Sequence, residues 1–400
     1  MVSRWERWSG FDAMVNHKIV FLFFTVLYSP STLAIDWRGE FIGEGRKFQL
    51  RNEFVDSGYH NEEFKSVLNI GLSHYVNDIQ LNFEGGARYF NQIEGLEENS
   101  EGYANQLYAD KYIGKHLFSL GRKNVRWGVG FVSSPTDIVT VPVSPLNPED
   151  RFYEIEGRDL LQYSWLGAAS SVDLLFVKGQ ENAVHLESNA LYWRYYANKN
   201  NIDLALIGGV PTENDGYVIG GNITSSLGQA LELHLELIYN SQQRGREPIF
   251  NELGEIVFSE DEQIRALLGG QWSTDGGFNI VFEYLYLQDG LSKQGIANIV
   301  NLSRQGAVVN ALSIATGLLQ THYIFLRFGK DDVLGNWDNS LVYFASAESA
   351  SSVYKYEISR TFDSGVSVYG EFLQFSDDDN GEFALARAEY LVNLGLKYVF

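Results

Sequence analysis

Leu394-Gly395-Leu396-Lys397-Tyr398-Val399-Phe400 ends the chain, and its reading decides the fold. Counting back in twos from Phe400 gives Tyr398, Leu396, Leu394, Val392 and Tyr390. The alternate positions hold Val399, Lys397, Gly395, Asn393, Leu391 and Glu389. One face is apolar and tipped with aromatics, and the other is mixed and polar, which is the period of a β-strand. In water an apolar edge strand is a template for aggregation. In a closed barrel crossing a membrane, the apolar face meets lipid and both edges are paired. The expected fold class is therefore all-β: a transmembrane antiparallel up-and-down barrel.

The same alternation recurs along the chain. Leu231, Leu233, Leu235, Leu237 and Tyr239 share one face, with Glu232, His234 and Glu236 on the other. Phe64, Leu68, Ile70 and Leu72 precede the turn Val76-Asn77-Asp78, and Ile79, Leu81, Phe83, Ala87 and Tyr89 follow it. Reading every such segment gives about 18 strands of about ten residues, the length of a tilted membrane strand, or 16 if weak segments merge. Short connections are expected near 76–78, 114–116, 167–170, 198–201, 228–229, 274–277, 329–336 and 361–365. Longer ones alternate with them, including 91–102 and a Pro-rich loop at 128–157. Alternating short periplasmic turns and long outer loops is the habit of bacterial barrels, and it places both ends of the barrel on the periplasmic side. Trp165, Trp272, Trp337, Tyr75, Tyr112, Tyr398 and Phe400 then form a periplasmic aromatic girdle, with Trp127 at the outer end.

The 400 residues include 30 Lys and Arg against 51 Asp and Glu, a net charge of −21, and no Cys. That balance argues against nucleic acid as a partner, since no basic excess exists to neutralise phosphates. His17-Lys18, the ten-residue apolar run Ile19–Tyr28 and the small residues before Ala34 read as a signal peptide over 1–34, with Met14 a candidate true start. The run is too short to span a bilayer. The expected location is the bacterial outer membrane, with the barrel at 35–400. The expected partners are outer-membrane lipid and lipopolysaccharide, and a polar solute in the lumen. The acidic outer loops read as solvated surface, or as groups sharing divalent cations with lipopolysaccharide.

If the apolar parity faces lipid, the opposite parity lines a lumen. Its expected basic residues include Arg88, Arg122, Arg126, Arg158, Arg194 and Arg265, with Arg327, Arg387 and the lysines Lys65, Lys355 and Lys397. Its expected acidic residues include Glu84, Glu232, Glu236, Glu283, Glu371 and Glu389. The signs nearly balance, so a wet, cross-paired lumen is expected. Glu232-x-His234-x-Glu236 spaces its side chains about 7 Å apart by strand rise, too far for one metal ion. It reads as a polar stripe, and neither a cofactor nor a catalytic triad emerges. Pro135, Pro142, Pro145 and Pro148 crowd the 128–157 loop. Proline refuses ladder pairing, so this reads as a stiff loop that, with Asp137, either folds into the mouth as a constriction or stays an outer cap that never enters the lumen.

Gly121-Arg122-Lys123, Trp127-Gly128 and Pro135-Thr136-Asp137 resemble the Gly-Arg-Gln, Trp-Gly and Pro-Thr-Asp run of porin-like and alginate-export-like outer-membrane proteins, with Lys123 in place of Gln. The C-terminal strand likewise resembles that of Gram-negative outer-membrane barrels, which end in Phe and are recognised by the barrel-insertion machinery, so the resemblance implies that machinery as a partner through Phe400. The resemblance implies an 18-stranded channel, with Arg122 and Arg126 at the lumen or constriction. A near-neutral lumen does not match a polyuronate. The expected function is diffusion of small polar or oligomeric solutes, not catalysis. The alternatives are a plugged structural or interaction barrel, and a barrel enzyme working through His234 or His322.

Overall fold

The computed structural model describes residues 35–51, 61–92, 96–140, 151–179, 189–212, 216–241, 248–250, 256–258, 262–304, 318–333, 335–349, 351–376, 381–386 and 388–400. The expected signal segment, Pro142, Pro145, Pro148 and Arg387 lie outside them.

The first wall segment comprises β1 (Ile35–Leu50), β2 (Glu62–Val76), β3 (Ile79–Gln92), β4 (Leu96–Ile113) and β5 (His116–Lys123). Next come β6 (Arg158–Leu166), β7 (Ser170–Val177), β8 (Ala190–Lys199), β9 (Ile202–Pro211), β10 (Val218–Leu227) and β11 (Leu231–Asn240). A small outer hairpin, β12 (Pro248–Phe250) and β13 (Ile256–Phe258), stands apart from the wall. The wall resumes with β14 (Gln263–Ser273), β15 (Phe278–Leu287), β16 (His322–Val333), β17 (Trp337–Ser346), β18 (Ser352–Thr361), β19 (Val366–Ser376) and β20 (Ala388–Val399). Each wall strand pairs antiparallel with the next, and β20 pairs with β1. The result is a closed barrel of 18 strands. Closure satisfies every ladder, which a lipid environment demands.

Period-two alternation sets which way each side chain points. On β11, Leu233, Leu235 and Leu237 are exposed on the outer surface, while His234, Glu236 and Ile238 are buried inside. Ten residues at about 3.3 Å each, tilted, span the roughly 25 Å of a lipid core. Trp165, Trp272, Trp337 and Tyr398 lie on outward rows beside the tight turns, as a girdle requires. Trp127 does not join them: it is buried inside the barrel, because it belongs to a loop that turns inward.

The tight turns fall where the sequence places them. Val76 pairs with Ile79 around Asn77 and Asp78, whose φ of 48° and 67° is the left-handed geometry of a two-residue hairpin turn. Two connections and one wall residue differ from expectation. β3 and β4 continue so far that only 93–95 separates them, in place of a loop at 91–102. The connection between β15 and β16 carries a helix, α1 (Lys293–Arg304), on which Ile296, Ile299 and Val300 are buried. Glu389, expected on the lumen wall, is exposed at the bulge where β20 shifts register against β1.

The seam between β1 and β20 is sealed by the last residue. Phe400 exchanges backbone hydrogen bonds with Gly39, its N–H to the Gly39 carbonyl at 3.0 Å and the reverse at 2.9 Å. Its ring lies over Gly39, where a Cβ would fall 2.3 Å from it, and meets Trp37 edge-on at 6.0 Å. The aromatic end of the opening heptapeptide thus packs across the closing joint.

Candidate functional site

The described parts of the loop between β5 and β6, residues 124–140 and 151–157, lie inside the barrel, beyond the end of the wall opposite the tight turns. The first part is a tight knot. The Asp137 carboxylate accepts the backbone N–H of Trp127 (2.5 Å) and Gly128 (2.7 Å) and pairs with Arg126 at 3.2 Å. Pro135 precedes Thr136, which is buried, as is Val132. A carboxylate that caps two amides therefore holds this part of the loop together.

Two carboxylates from the opposite wall hold this knot. Glu236 of β11 accepts the N–H of Val129 (2.6 Å), Gly130 (2.8 Å) and Thr136 (2.9 Å), and the Thr136 hydroxyl at 2.6 Å. Glu283 of β15 accepts the N–H of Phe131 (2.7 Å) and Val132 (2.9 Å) and meets His234 Nε2 at 2.9 Å. Asn222 of β10 donates to the Trp127 carbonyl at 2.8 Å. Glu236 and Glu283 are essentially inaccessible to solvent. A buried carboxylate is tolerable when several N–H donors surround it, and such charge-assisted bonds are the strong ones.

The end of the loop, residues 151–157, lies against the other wall. Arg151 pairs with Glu371 of β19 (2.9 Å), Glu357 of β18 (3.4 Å) and Glu44 of β1 (3.8 Å), with its guanidinium 4.1 Å from the Tyr369 ring centre. Lys355 completes the cluster, 2.7 Å from Glu371. Arg88 of β3 donates to the Phe152 carbonyl at 3.0 Å and also to that of Tyr153, and pairs with Glu101. One loop is therefore anchored to β10, β11 and β15 on one side and to β1, β3, β18 and β19 on the other, about halfway along those strands. It is a strap across the lumen.

Apolar packing supports the strap. Val125, Trp127 and Val139 bury against Leu160, Leu175, Ile207 and Ile238 of the inner wall. Val132 packs with Leu267, Val281, Leu285, Phe325 and Phe344, and Phe152 with Ile42 and Val67. The outer half of the interior is thus partly apolar, not the uniformly wet, charge-paired lumen expected. The signal lay in the inward-parity apolar residues, which a search for charges passes over. On the tight-turn side of the strap the inner wall turns small and polar, with Ser73, Asn82, Thr224, Gln271, Asn279 and Ser340.

The remaining expected residues sort by parity. Glu84 faces inward and accepts from Gln106 at 2.5 Å. Arg194 pairs with Asp173 at 2.8 Å, and Arg265 with Asp289 at 2.7 Å. Arg158 is buried on the inner wall beside Lys123. Arg122 is the exception. It shares the outward row of Phe118 and Leu120 and pairs with Asp159 (3.1 Å) and Glu156 (3.8 Å), so it does not line the lumen. Lys123 takes the inward position and binds Asp110 at 3.2 Å. Arg327 and Glu232 face inward below the strap, and neither has an ion pair among the described residues. Glu44 and Arg151, central to the strap, were not singled out from sequence; Glu44 lies on the inward parity of β1, which would have found it.

His234 and Glu283 meet across an intervening strand because Gly269 stands between them in the ladder. A Cβ there would fall 2.4 Å from His234 Nε2 and 2.7 Å from Glu283 Cγ. Gly269→Ala is expected to displace both and cost about 1–3 kcal/mol, as overpacking does. The measurement is the temperature at which the barrel loses its heat-resistant gel mobility. Gly45→Ala, where a Cβ meets nothing within 4 Å, should leave it unchanged.

No family model and no curated protein matches this sequence. Solved structures do match in shape. A BenF-like porin from Pseudomonas fluorescens Pf-5 superposes with a TM-score of 0.59 at 9% identity, over 92% of this chain and 98% of that one. OccAB1 of Acinetobacter baumannii gives 0.57 at 10%, over 93% and 98%. OccK1 of Pseudomonas aeruginosa gives 0.57 at 10%, over 91% and 98%. The chain has the fold of an outer-membrane porin, an 18-stranded barrel with its apolar face turned to lipid.

Proposed function

We propose that the chain forms an outer-membrane channel through which small polar solutes diffuse, with the strap setting its aperture. The observation that carries this reading is the strap itself: a loop bonded to both sides of a closed barrel at mid-height narrows the lumen without leaving it. The polar inner wall below it supports passage of hydrated solutes, and polar walls with charge pairs are how pores select. Arg327 and Glu232 lie on one inward row, three strand spacings or about 14 Å apart, so a solute passing them meets opposite charges. The porin-named barrels of the same shape lend support by analogy of fold. Arg126, Pro135 and Asp137 belong to the constriction in this reading, and Arg88, Arg158, Arg194, Arg265 and Glu371 to its anchorage and wall.

A second reading, a permanently closed structural barrel, is favoured by the apolar contacts of Trp127 and Val132. Planar-bilayer recording of the purified protein separates the two. The channel reading expects discrete current steps in the wild type and larger steps in a variant lacking residues 135–150. Silence of both proteins at every voltage would leave only the closed barrel.

A further inference from the structure

Below the strap, the β1–β4 wall carries a cavity of about 310 Å³. Two adjacent inward rows line it, together with Trp37, Leu72 and Phe83 from the row between them. One runs Asp36, Ser73, Asn82, Tyr108; the other runs Arg38, Gly71, Glu84, Gln106. Gly71 is the gap that admits a ligand-facing arrangement. With no side chain there, Arg38 lies across it, its Nε 3.1 Å from where a Cβ would be, and reaches Glu84 at 3.5 Å. Glu84 also accepts from Asn69 at 3.3 Å, while Gln80 donates to Ser73 (3.0 Å) and Asn82 (3.2 Å).

The strap comes near this wall through Tyr153, which does not itself line the cavity. Tyr153 adopts a φ of 55°, a left-handed conformation that a non-glycine residue keeps only where its surroundings enforce it. Asn105 and Arg88 both clamp its carbonyl, Asn105 at 2.6 Å. The turned backbone stacks its ring on Tyr103, with centroids 6.5 Å apart, and sends its hydroxyl to Glu40, beside Glu84 and Arg38. Strained residues of this kind gather at ligand clamps.

The lining points to a solute class. It holds one guanidinium against the carboxylates of Asp36 and Glu84, so a solute carboxylate meets net negative charge. Amide and hydroxyl groups place donors and acceptors side by side. An ammonium only donates and a carboxylate only accepts, whereas a hydroxyl does both. The volume sits at the small end of ligand pockets, about 300–1,000 Å³, which suits one ring and not an oligomer.

We propose that this cavity is a subsite for a neutral, polyhydroxylated solute the size of a single sugar ring, held under the strap on the tight-turn side of the constriction. The proposal rests on the channel reading only for how the solute arrives. Its test is isothermal titration of the detergent-purified barrel with glucose and, separately, glucuronate, in wild type and in an Asn82→Ala/Gln106→Ala variant whose circular dichroism confirms folding. Glucose is expected to bind saturably, at least tenfold tighter than glucuronate, and to lose at least tenfold in the variant. Absence of saturable glucose binding, tighter binding of glucuronate, or equal glucose affinity in the folded variant overturns it. Binding in a protein that passes no current would sink the channel reading and leave the subsite standing. Current without binding would do the reverse.

Discussion

Replacing Glu236 and Glu283 together with alanine is expected to raise single-channel conductance several-fold. These two side chains hold the amides of Val129, Gly130, Phe131, Val132 and Thr136. Hydrogen bonds to charged groups contribute about 1.5–3 kcal/mol each, and a buried donor left without a partner costs about 1–3 kcal/mol. Even with heavy non-additivity, the knot loses on the order of 5 kcal/mol of support. The wall does not: both residues sit on strands whose ladders remain complete. The barrel therefore still closes while its strap swings free. Glu236→Gln is the finer probe. It preserves shape but keeps only one acceptor oxygen where four donors converge, so an intermediate conductance is expected. Conductance unchanged in the folded double-alanine protein would show that the aperture is set elsewhere.

That strap also shows how far the sequence can be read. The alternation of residues 390–400 and 231–239 carries enough information to orient every strand, because a one-residue slip would turn Leu233 and Leu235 inward and Glu236 into lipid. The turns are equally legible, since Asn77-Asp78 permits a backbone that few other pairs do. The Pro-rich loop was expected to be stiff and, on one of two readings, to enter the mouth, but three of its four prolines, Pro142, Pro145 and Pro148, lie outside the described residues. Its anchors were not legible, because Glu236 and Glu283 announce themselves only as polar wall residues. What they bind is a row of backbone amides, and backbone carries no sequence signature. Arg122 shows the opposite failure. Both the parity reading and the motif likeness assigned it to the lumen, yet it shares the outward row of Phe118 and Leu120, because the parity of a strand as short as β5 was counted one residue out. Trp127 was misplaced because an aromatic near a strand end reads as girdle unless the chain direction beyond it is known. Helix α1 was hidden inside a long connection, where strand periodicity says nothing.

The second large effect is expected at the outer mouth, where Glu382 makes the closure of two outer segments depend on pH. Its side chain is buried and accepts the Leu319 N–H at 2.9 Å and the Tyr323 hydroxyl. Around it, Ala384 packs with Leu291, Ile296 and Val300, while Phe383 packs on Phe344. Arg51 donates to the Phe383 and Ala386 carbonyls at 3.2 and 3.0 Å, so that cation addresses backbone. Burial is the main cause that pushes the Glu382 carboxyl up to about 7, with the nearby Glu348 adding to it and the two hydrogen bonds opposing it. The closed form thus binds a proton that the open form releases near the ordinary value of 4.5. Between those two values the closed form holds more protons, so its stability falls as pH rises, is greatest below about 4.5 and levels off above 7. The difference of some 2.5 units corresponds to about 3 kcal/mol, or roughly 300-fold in the closing equilibrium. Hydrogen exchange at the Leu319 amide, corrected for intrinsic rates, should therefore lose protection by about that factor between pH 4.5 and 8. Glu382→Gln mimics the protonated acid and should flatten the profile at its low-pH level. Because Phe383 and Val132 share one apolar cluster through Phe344, a loosened outer segment also uncovers one side of the strap. Conductance should then rise with pH in the wild type and stay level in Glu382→Gln. A profile that is flat in the wild type, or that persists unchanged in the glutamine variant, would place the proton-sensitive group elsewhere.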